Sequence, residues 1–182
     1  MPESFKNDAL IVRLLQNDAT ADKGFKLLVE SYSQRLYWHI RSIVKNHHDA
    51  NDVVQNTFIK IFKGIKSFKA ESKLYTWLYR IATNESLTFL KRKKSTSSMD
   101  DGALQIKIAP SFHDENDTIE KLKNALELLP EKQKLVFNLR YYEEMTYQDI
   151  SEITGTSIGG LKASYHHAVK KLKKHLTNKS IL

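Results

Sequence analysis

Residues 145–174, MTYQDISEITGTSIGGLKASYHHAVKKLKK, decide the architecture of the second half of this 182-residue chain. Thr146, with Asp149 three residues later, makes a capping-box start, and Ile150 and Ile153 give the short helix it opens a buried face. Gly155 stands where a tight turn needs a permissive residue. Ser157 can cap a second helix whose apolar stripe is Ile158, Leu161, Tyr165, Ala168 and Leu172. The other side of that helix carries Gly159, Ala163, His166, His167 and Lys170, with Lys162 and Ser164 on its flanks. From Ile153 onward there are six lysines and no acid. Small residues let a helix enter a duplex groove closely, while polar and basic ones reach base edges and phosphates. The pattern predicts a helix-turn-helix. An ordinary helical hairpin with a solvated basic face fits the same spacing.

Upstream of this unit, Pro130 fits the first turn of a helix carrying Leu135, Val136, Leu139 and Tyr142, preceded by one with Ile119, Leu122, Leu126 and Leu129. Residues 95–117, STSSMDDGALQIKIAPSFHDEND, break the periodicity with Ser, Asp, Gly and Pro. A structureless run of that length does not suit a compact domain, so it is expected to be a flexible linker. Before it, helical spacing returns throughout. Asp8 can cap a first helix with Leu10, Ile11, Leu14 and Leu15. A longer helix carries Phe25, Leu28, Val29, Tyr32, Leu36, Ile40, Ile43 and Val44, and a third carries Val54, Phe58, Ile61, Phe62 and Ile65. The expected fold is all-α: a helical domain over 1–94, a linker over 95–117 and a helix-turn-helix domain over 118–182.

Composition narrows the function. A net charge of +8 and a pI near 9.5 favour an anionic partner. With no cysteine there is no disulfide framework, thiolate metal site or Cys nucleophile. No apolar run approaches the ~18 residues of a membrane span, and no signal-peptide core opens the chain, so a protein that is not membrane-embedded and a cytoplasmic setting are expected. There is no phosphate-binding Gly-rich loop and no nucleophile elbow, and no catalytic constellation can be assembled. The pairs His47-His48 and His166-His167 lack supporting ligands, and adjacent helical side chains diverge. Neither enzymatic activity, a metal nor a cofactor is expected.

Residues 72–94, SKLYTWLYRIATNESLTFLKRKK, combine four aromatic rings with a run of four basic residues. On a helix from Leu74, the side chains of Leu74, Leu78, Ile81, Ala82 and Phe89 cluster as core. Trp77, Arg80, Asn84, Thr88 and Lys91 fall in a second stripe at steps of three and four. Rings beside cations suit single-stranded DNA, where stacking is worth ~1–3 kcal/mol per base and the cations hold the backbone. Packing against a neighbouring helix is the expectation for Tyr75, Tyr79 and Phe89; for Trp77 both readings stand. In DANDVVQNTF, residues 49–58, Asp49, Asp52 and Gln55 share one helical face, which is either a solvated, capping face or a site for a second kind of partner.

Taken together these stretches resemble the extracytoplasmic-function sigma factors, the small two-domain class of bacterial transcription initiation factors. DANDVVQNTFIKIF resembles the family's second conserved helix, TWLYRIATN its promoter-melting helix, and the segment from Leu129 through the helix-turn-helix its C-terminal domain. The resemblance implies a factor that binds core RNA polymerase, directs it to a promoter and helps open the duplex. It places Asp49, Asp52 and Gln55 against the polymerase clamp, and the stripe from Trp77 to Lys91 on the minus-10 element. Asn84 matches a position that helps bind an extruded base, and SFKAES (Ser67–Ser72, with Lys69) matches the loop lining that base's pocket. It places Gly159, Lys162, Ala163, Ser164, His166, His167 and Lys170 on the minus-35 duplex. An anti-sigma factor is a further partner that the resemblance allows. Asn51 and Asn56 stand where the family often has acids, and Ser164 and His167 where it often has Arg, so the minus-35 preference does not carry over. The alternative is a stand-alone helix-turn-helix regulator acting on duplex operators without polymerase.

Overall fold

The computed structural model describes residues 7–97 and 117–178. Eight α-helices lie within them: α1 (Asp8–Leu15), α2 (Ala21–Val44), α3 (His47–Gly64), α4 (Leu74–Ser97), α5 (Asp117–Glu127), α6 (Glu131–Tyr141), α7 (Tyr147–Thr154) and α8 (Ile158–Asn178). A single 3-10 turn (Ile65–Ser67) follows α3, and no strand occurs among the described residues. Two helical groups, α1–α4 and α5–α8, match the all-α expectation. Helix α4 continues three residues into the segment expected to be linker, most of which lies outside the described residues.

In the first group, Leu28, Tyr32, Leu36, Ile40 and Val44 form the buried side of α2, at the steps the sequence predicts. Helix α3 starts at Asn46, whose side-chain oxygen accepts from the backbone N–H groups of His48 (2.8 Å) and Asp49 (3.4 Å). Helix α4 packs on α2, α3 and α7, so its apolar pattern is broader than one stripe. Tyr75, Thr76, Tyr79, Thr83 and Ser86 are buried along with Leu74, Leu78 and Ala82.

In the second group the capping box is formed: the Asp149 N–H donates to the Thr146 hydroxyl (3.1 Å), and the Thr146 N–H donates to the Asp149 carboxylate (3.1 Å). Gly155 closes α7 at φ 67°, the left-handed region a residue with a Cβ rarely takes. The Gly160 N–H donates to the Ser157 hydroxyl (3.3 Å), the expected start of α8. Leu161, Ala168 and Leu172 are buried.

Five expectations are corrected. Asp8 does not cap α1; it sits in the first turn, where its carboxylate accepts from the Tyr32 hydroxyl. Pro130 precedes α6 in an extended conformation (φ −54°, ψ 142°) rather than joining its first turn. Phe62 and Tyr142 are exposed rather than core, and Ile158 is partly so, because each lies at a helix end or beyond the packed face.

The two groups also share one core. Val136, Leu139, Met145, Ile150, Ile153 and Leu161 of the second belong to the same buried cluster as Leu28, Leu36, Tyr75 and Tyr79 of the first. A smaller cluster of Ala125, Leu126, Leu129, Phe137, Ala168 and Leu172 holds α5 and α6 to α8. Burying a side chain the size of Ile or Met contributes ~1.5–3 kcal/mol, so the seam between the groups is a substantial contact.

Candidate nucleic-acid interface

Helix α4 presents Arg80, Asn84, Thr88 and Lys91 to solvent; from Leu74 to Ser86 the rest of the helix is buried or half-buried by its neighbours. Trp77, at the head of that stripe, is half-buried. Its ring lies 5.2 Å from that of Phe68 at 45°, and a Cβ added at Gly64 would come within 3.3 Å of it. One part of the indole is thus seated and the rest is open. Tyr75 and Tyr79 are buried and Phe89 is half-buried, as expected for packing rings.

The loop before α4 is tied at its start. The Ser67 hydroxyl donates to the Gly64 carbonyl (2.8 Å), and the Phe68 N–H donates to that of Ile65 (3.1 Å). Phe68 is buried, while Lys69 and Ala70 project outward. Ala70 takes φ 56°, a left-handed conformation that costs an L-residue roughly 1–2 kcal/mol. Such strain survives only where neighbouring contacts impose it.

On α8, Gly159, Lys162, Ala163, His166, His167 and Lys170 are exposed, and Ser164 is half-buried. A Cβ built on Gly159 meets nothing within 4 Å, so the fold itself does not require glycine there. The two histidine rings stand 5.9 Å apart at 70°. Neither is packed away, although Tyr165 beside them stacks on Phe137.

On α3, Asp52 and Gln55 are exposed, but Asp49 is not available in the same way. Its carboxylate accepts from the Lys93 ammonium at 2.6 Å, so the basic end of α4 already covers it.

Across the seam, two carboxylates of the second group are held by donors of the first. Asp149 accepts from the Tyr75 hydroxyl (2.9 Å), the Lys73 ammonium (3.1 Å) and the Thr76 hydroxyl (3.4 Å). Glu143 accepts from the Arg35 guanidinium (2.7 Å) and the Tyr79 hydroxyl (2.6 Å). Burial pushes the Asp149 carboxyl upward, but the hydrogen bonds from Thr146, Lys73 and Tyr75 outweigh it and leave the group below its usual value. Burial, and then the Glu143 charge, raise the Tyr79 phenol well above its ordinary range. A cleft of about 350 Å³ opens beside this seam, with Asn84 and Leu87 on one wall and Leu135, Ile153 and Ser164 on the other.

Comparison with known proteins gives this geometry its context. Residues 28–96 match Sigma-70 region 2 and residues 119–172 match Sigma-70, region 4. The ECF RNA polymerase sigma-E factor of Haemophilus influenzae is 32% identical over 181 residues, covering 92% of this chain and 94% of that one. The chain belongs to the ECF sigma factor family. The ECF sigma factor SigW of Bacillus subtilis is 30% identical over 176 residues, covering 87% and 89% of the two chains. Among solved structures, the sigma factor RpoE of Bartonella quintana, in complex with the anti-sigma factor NepR, aligns with a TM-score of 0.73 and 27% identity, over 85% of this chain and 98% of that one. CnrH, in complex with the cytosolic domain of CnrY, shares the fold (TM-score 0.70, 18% identity, 95% and 99% coverage).

As an ECF sigma factor this protein binds RNA polymerase and directs promoter recognition; it is not an enzyme. The stand-alone regulator is thereby set aside. No helix among the described residues is long and apolar enough to cross a membrane. Sequence reasoning missed the ECF factor's seam residues, Arg35, Lys73 and Glu143. The capping-box spacing flagged Asp149, but only for its local role.

Proposed function

We propose that the three surfaces divide the work of this sigma factor. The α4 stripe of Arg80, Asn84, Thr88 and Lys91, with the outer part of Trp77 and the loop carrying Lys69, takes the opened minus-10 strand. The α8 face of Gly159, Lys162, Ala163, His166, His167 and Lys170, with Ser164 at its edge, reads the minus-35 duplex. Asp52 and Gln55 meet core polymerase, and Asp49 contributes once Lys93 has been drawn away. The observation that carries the reading is the exposed polar and basic stripe on α4, which begins at Arg80 and Asn84 where the rest of the helix, from Leu74 to Ser86, is buried or half-buried. The open space at Gly159 supports the second assignment, since it admits a close neighbour.

Charge fits action through polymerase rather than alone. Residues 1–118 carry 18 basic and 14 acidic side chains, and residues 119–182 carry 11 and 7, so each half has a net charge of +4. Counterion release from so modest a surface gives weak, salt-sensitive binding to a free duplex. A partner of the anti-sigma type, as found with the Bartonella relative, is part of the same proposal.

Promoter opening by reconstituted holoenzyme tests the assignment. The Arg80→Ala/Asn84→Ala variant is expected to associate with core polymerase normally and to lose permanganate-reactive thymines on linear promoter DNA. Normal melting by that variant would remove this face of α4 from the strand-binding site.

A further inference from the structure

The strand-binding stripe of α4 has an apolar member. From Trp77, steps of 3, 4, 3 and 4 lead to Arg80, Asn84, Leu87 and Lys91, so Leu87 stands in line between an amide and a cation. It is 49% exposed, whereas Leu74 and Leu78 on the core side of the same helix are buried. One open leucine is ordinary on a protein surface. Its company gives this one a role.

Leu87, Asn84 and Thr83 of α4 share a cleft with Ser42 and Ile43 of α2, all of them residues of the first group. The two hydroxyls are committed: Ser42 donates to the His39 carbonyl (2.7 Å), and the Thr83 hydroxyl oxygen lies 2.9 Å from the His39 Nε2. The Asn84 amide has no hydrogen bond among the described residues, and neither Arg80 nor Lys91 has an acidic partner there. This side of the cleft therefore offers one free amide and two apolar side chains, Leu87 and Ile43, with an unpaired cation on either side of them along the stripe. The cleft, about 350 Å³, falls within the range of small-ligand pockets.

A DNA base suits this combination. Every base has a polar edge that an amide can bond, but only thymine adds an apolar group, its C5-methyl. Side chains at i and i+3 on a helix lie about 5–6 Å apart at Cβ, close enough for Asn84 and Leu87 to address one base. We propose that Leu87 is a thymine reader: with Ile43 in the same cleft, it seats the C5-methyl of one base of the opened strand, while Asn84 bonds that base's polar edge and Arg80 and Lys91 hold the flanking phosphates. This rests on the assignment of the α4 stripe given above and adds to it a base preference at one position.

Oligo-dT and its deoxyuridine counterpart differ only in the methyl groups, so the ratio of their affinities isolates that contact. Fluorescent twenty-residue strands of each are titrated with holoenzyme reconstituted from core polymerase and the full-length chain. The preference for oligo-dT should fall by about fourfold in Leu87→Ala, the worth of one buried methyl. Contacts made by core polymerase are the same in both proteins and cancel. Leu87→Met, still apolar, should keep most of the preference. Alanine suits a half-exposed helical site, and native circular dichroism of the variant checks that the fold is intact. A ratio unchanged in Leu87→Ala would overturn the proposal. Equal losses on both strands would make Leu87 a wedge between bases rather than a methyl reader, and would overturn it as well.

The Arg80→Ala/Asn84→Ala variant, in the same titration, separates this proposal from the one it rests on. Weaker binding of both strands by that variant, together with the fall in ratio at Leu87→Ala, supports both. Weaker binding with the Leu87→Ala ratio unmoved defeats the thymine reader alone. Binding of both strands as tightly as the unaltered protein defeats the strand-binding assignment instead.

Discussion

The Asp149 carboxylate lies 2.9 Å from the hydroxyl of Tyr75, a residue 74 positions earlier in the chain. The same carboxylate accepts from the Thr146 N–H three residues before it. One side chain therefore completes a local helix cap and a long-range contact. A substitution there removes both, whereas one at Tyr75 removes only the second.

Asp149→Ala is expected to destabilise the folded chain by about 2 kcal/mol or more, combining a lost cap interaction with donors left unpaired in a buried setting. Because the folded-state carboxyl lies below its usual value of 3.8, its contribution is fully present above that pH and is lost as the pH falls below it. Urea unfolding of wild type and variant from neutral pH down to about 3 should show the two curves converging at the acid end. A gap that persists unchanged at the acid end would contradict this assignment.

His39 predicts acid sensitivity in a higher range. Burial pushes its imidazole down to about 3 from 6.5, and its Nε2 lies 2.9 Å from the Thr83 hydroxyl oxygen. Between those two values the unfolded chain takes up a proton that the folded chain refuses. Stability is full above pH 6.5 and declines as the pH drops toward 3, by on the order of 1.4 kcal/mol per unit crossed. His39→Leu should lose less stability than wild type between pH 7 and pH 5, read as the shift in urea midpoint. Equal shifts would mean that His39 is not the group responsible.

The seat of Trp77 is open to a small test. Gly64→Ala would bring a methyl group to 3.3 Å from the indole, so the ring must give by a few tenths of an ångström. In a Trp38→Phe background Trp77 is the sole indole, since the chain has two tryptophans. Its emission should shift and oligo-dT binding should weaken, with stability changed by less than about 1.5 kcal/mol. Trp77→Ala is the poorer probe: removing a half-buried ring packed on Phe68 costs stability as well as stacking.

Asp49 and Asp52 should part company in polymerase binding. Asp52→Ala and Gln55→Ala remove exposed groups and should weaken association with little effect on folding. Asp49→Ala breaks the pair with Lys93, which is half-exposed and so worth only about 0.2–1 kcal/mol. Its effect on association should be the smaller of the two aspartates when measured at matched salt. A larger loss at Asp49 would show that Lys93 releases it readily.

Much of this was legible because the signals are local. The steps of three and four along α2, the Thr146–Asp149 spacing and the glycine at 155 each act within one or two turns, and the structure realises them. Tyr75 and Tyr79 were expected to pack, but against what could not be read. Their partners Asp149 and Glu143 lie 74 and 64 residues away, and no helical period links such positions. Asp49 was expected to be open, since a period of three says nothing of a lysine 44 residues on. Trp77 stayed undecided because its environment depends on Gly64 and Phe68, which belong to the preceding helix end and loop. Residues sharing one helix face were legible; contacts made by tertiary closure were not.

The shared core also sets an order of events on the ribosome. Tyr75 and Tyr79 are made well before Met145, Ile150 and Ile153, the residues they are buried with. At about 5–20 residues per second, synthesis leaves the apolar flank of α4 without its cover for roughly 4–15 s after Tyr75 is joined. During that interval the nascent first group presents an uncovered apolar surface. Chaperone capture or aggregation of the growing chain is then governed by translation speed between codons 75 and 153, so slow codons in that window would lower the yield of native protein without altering a single residue.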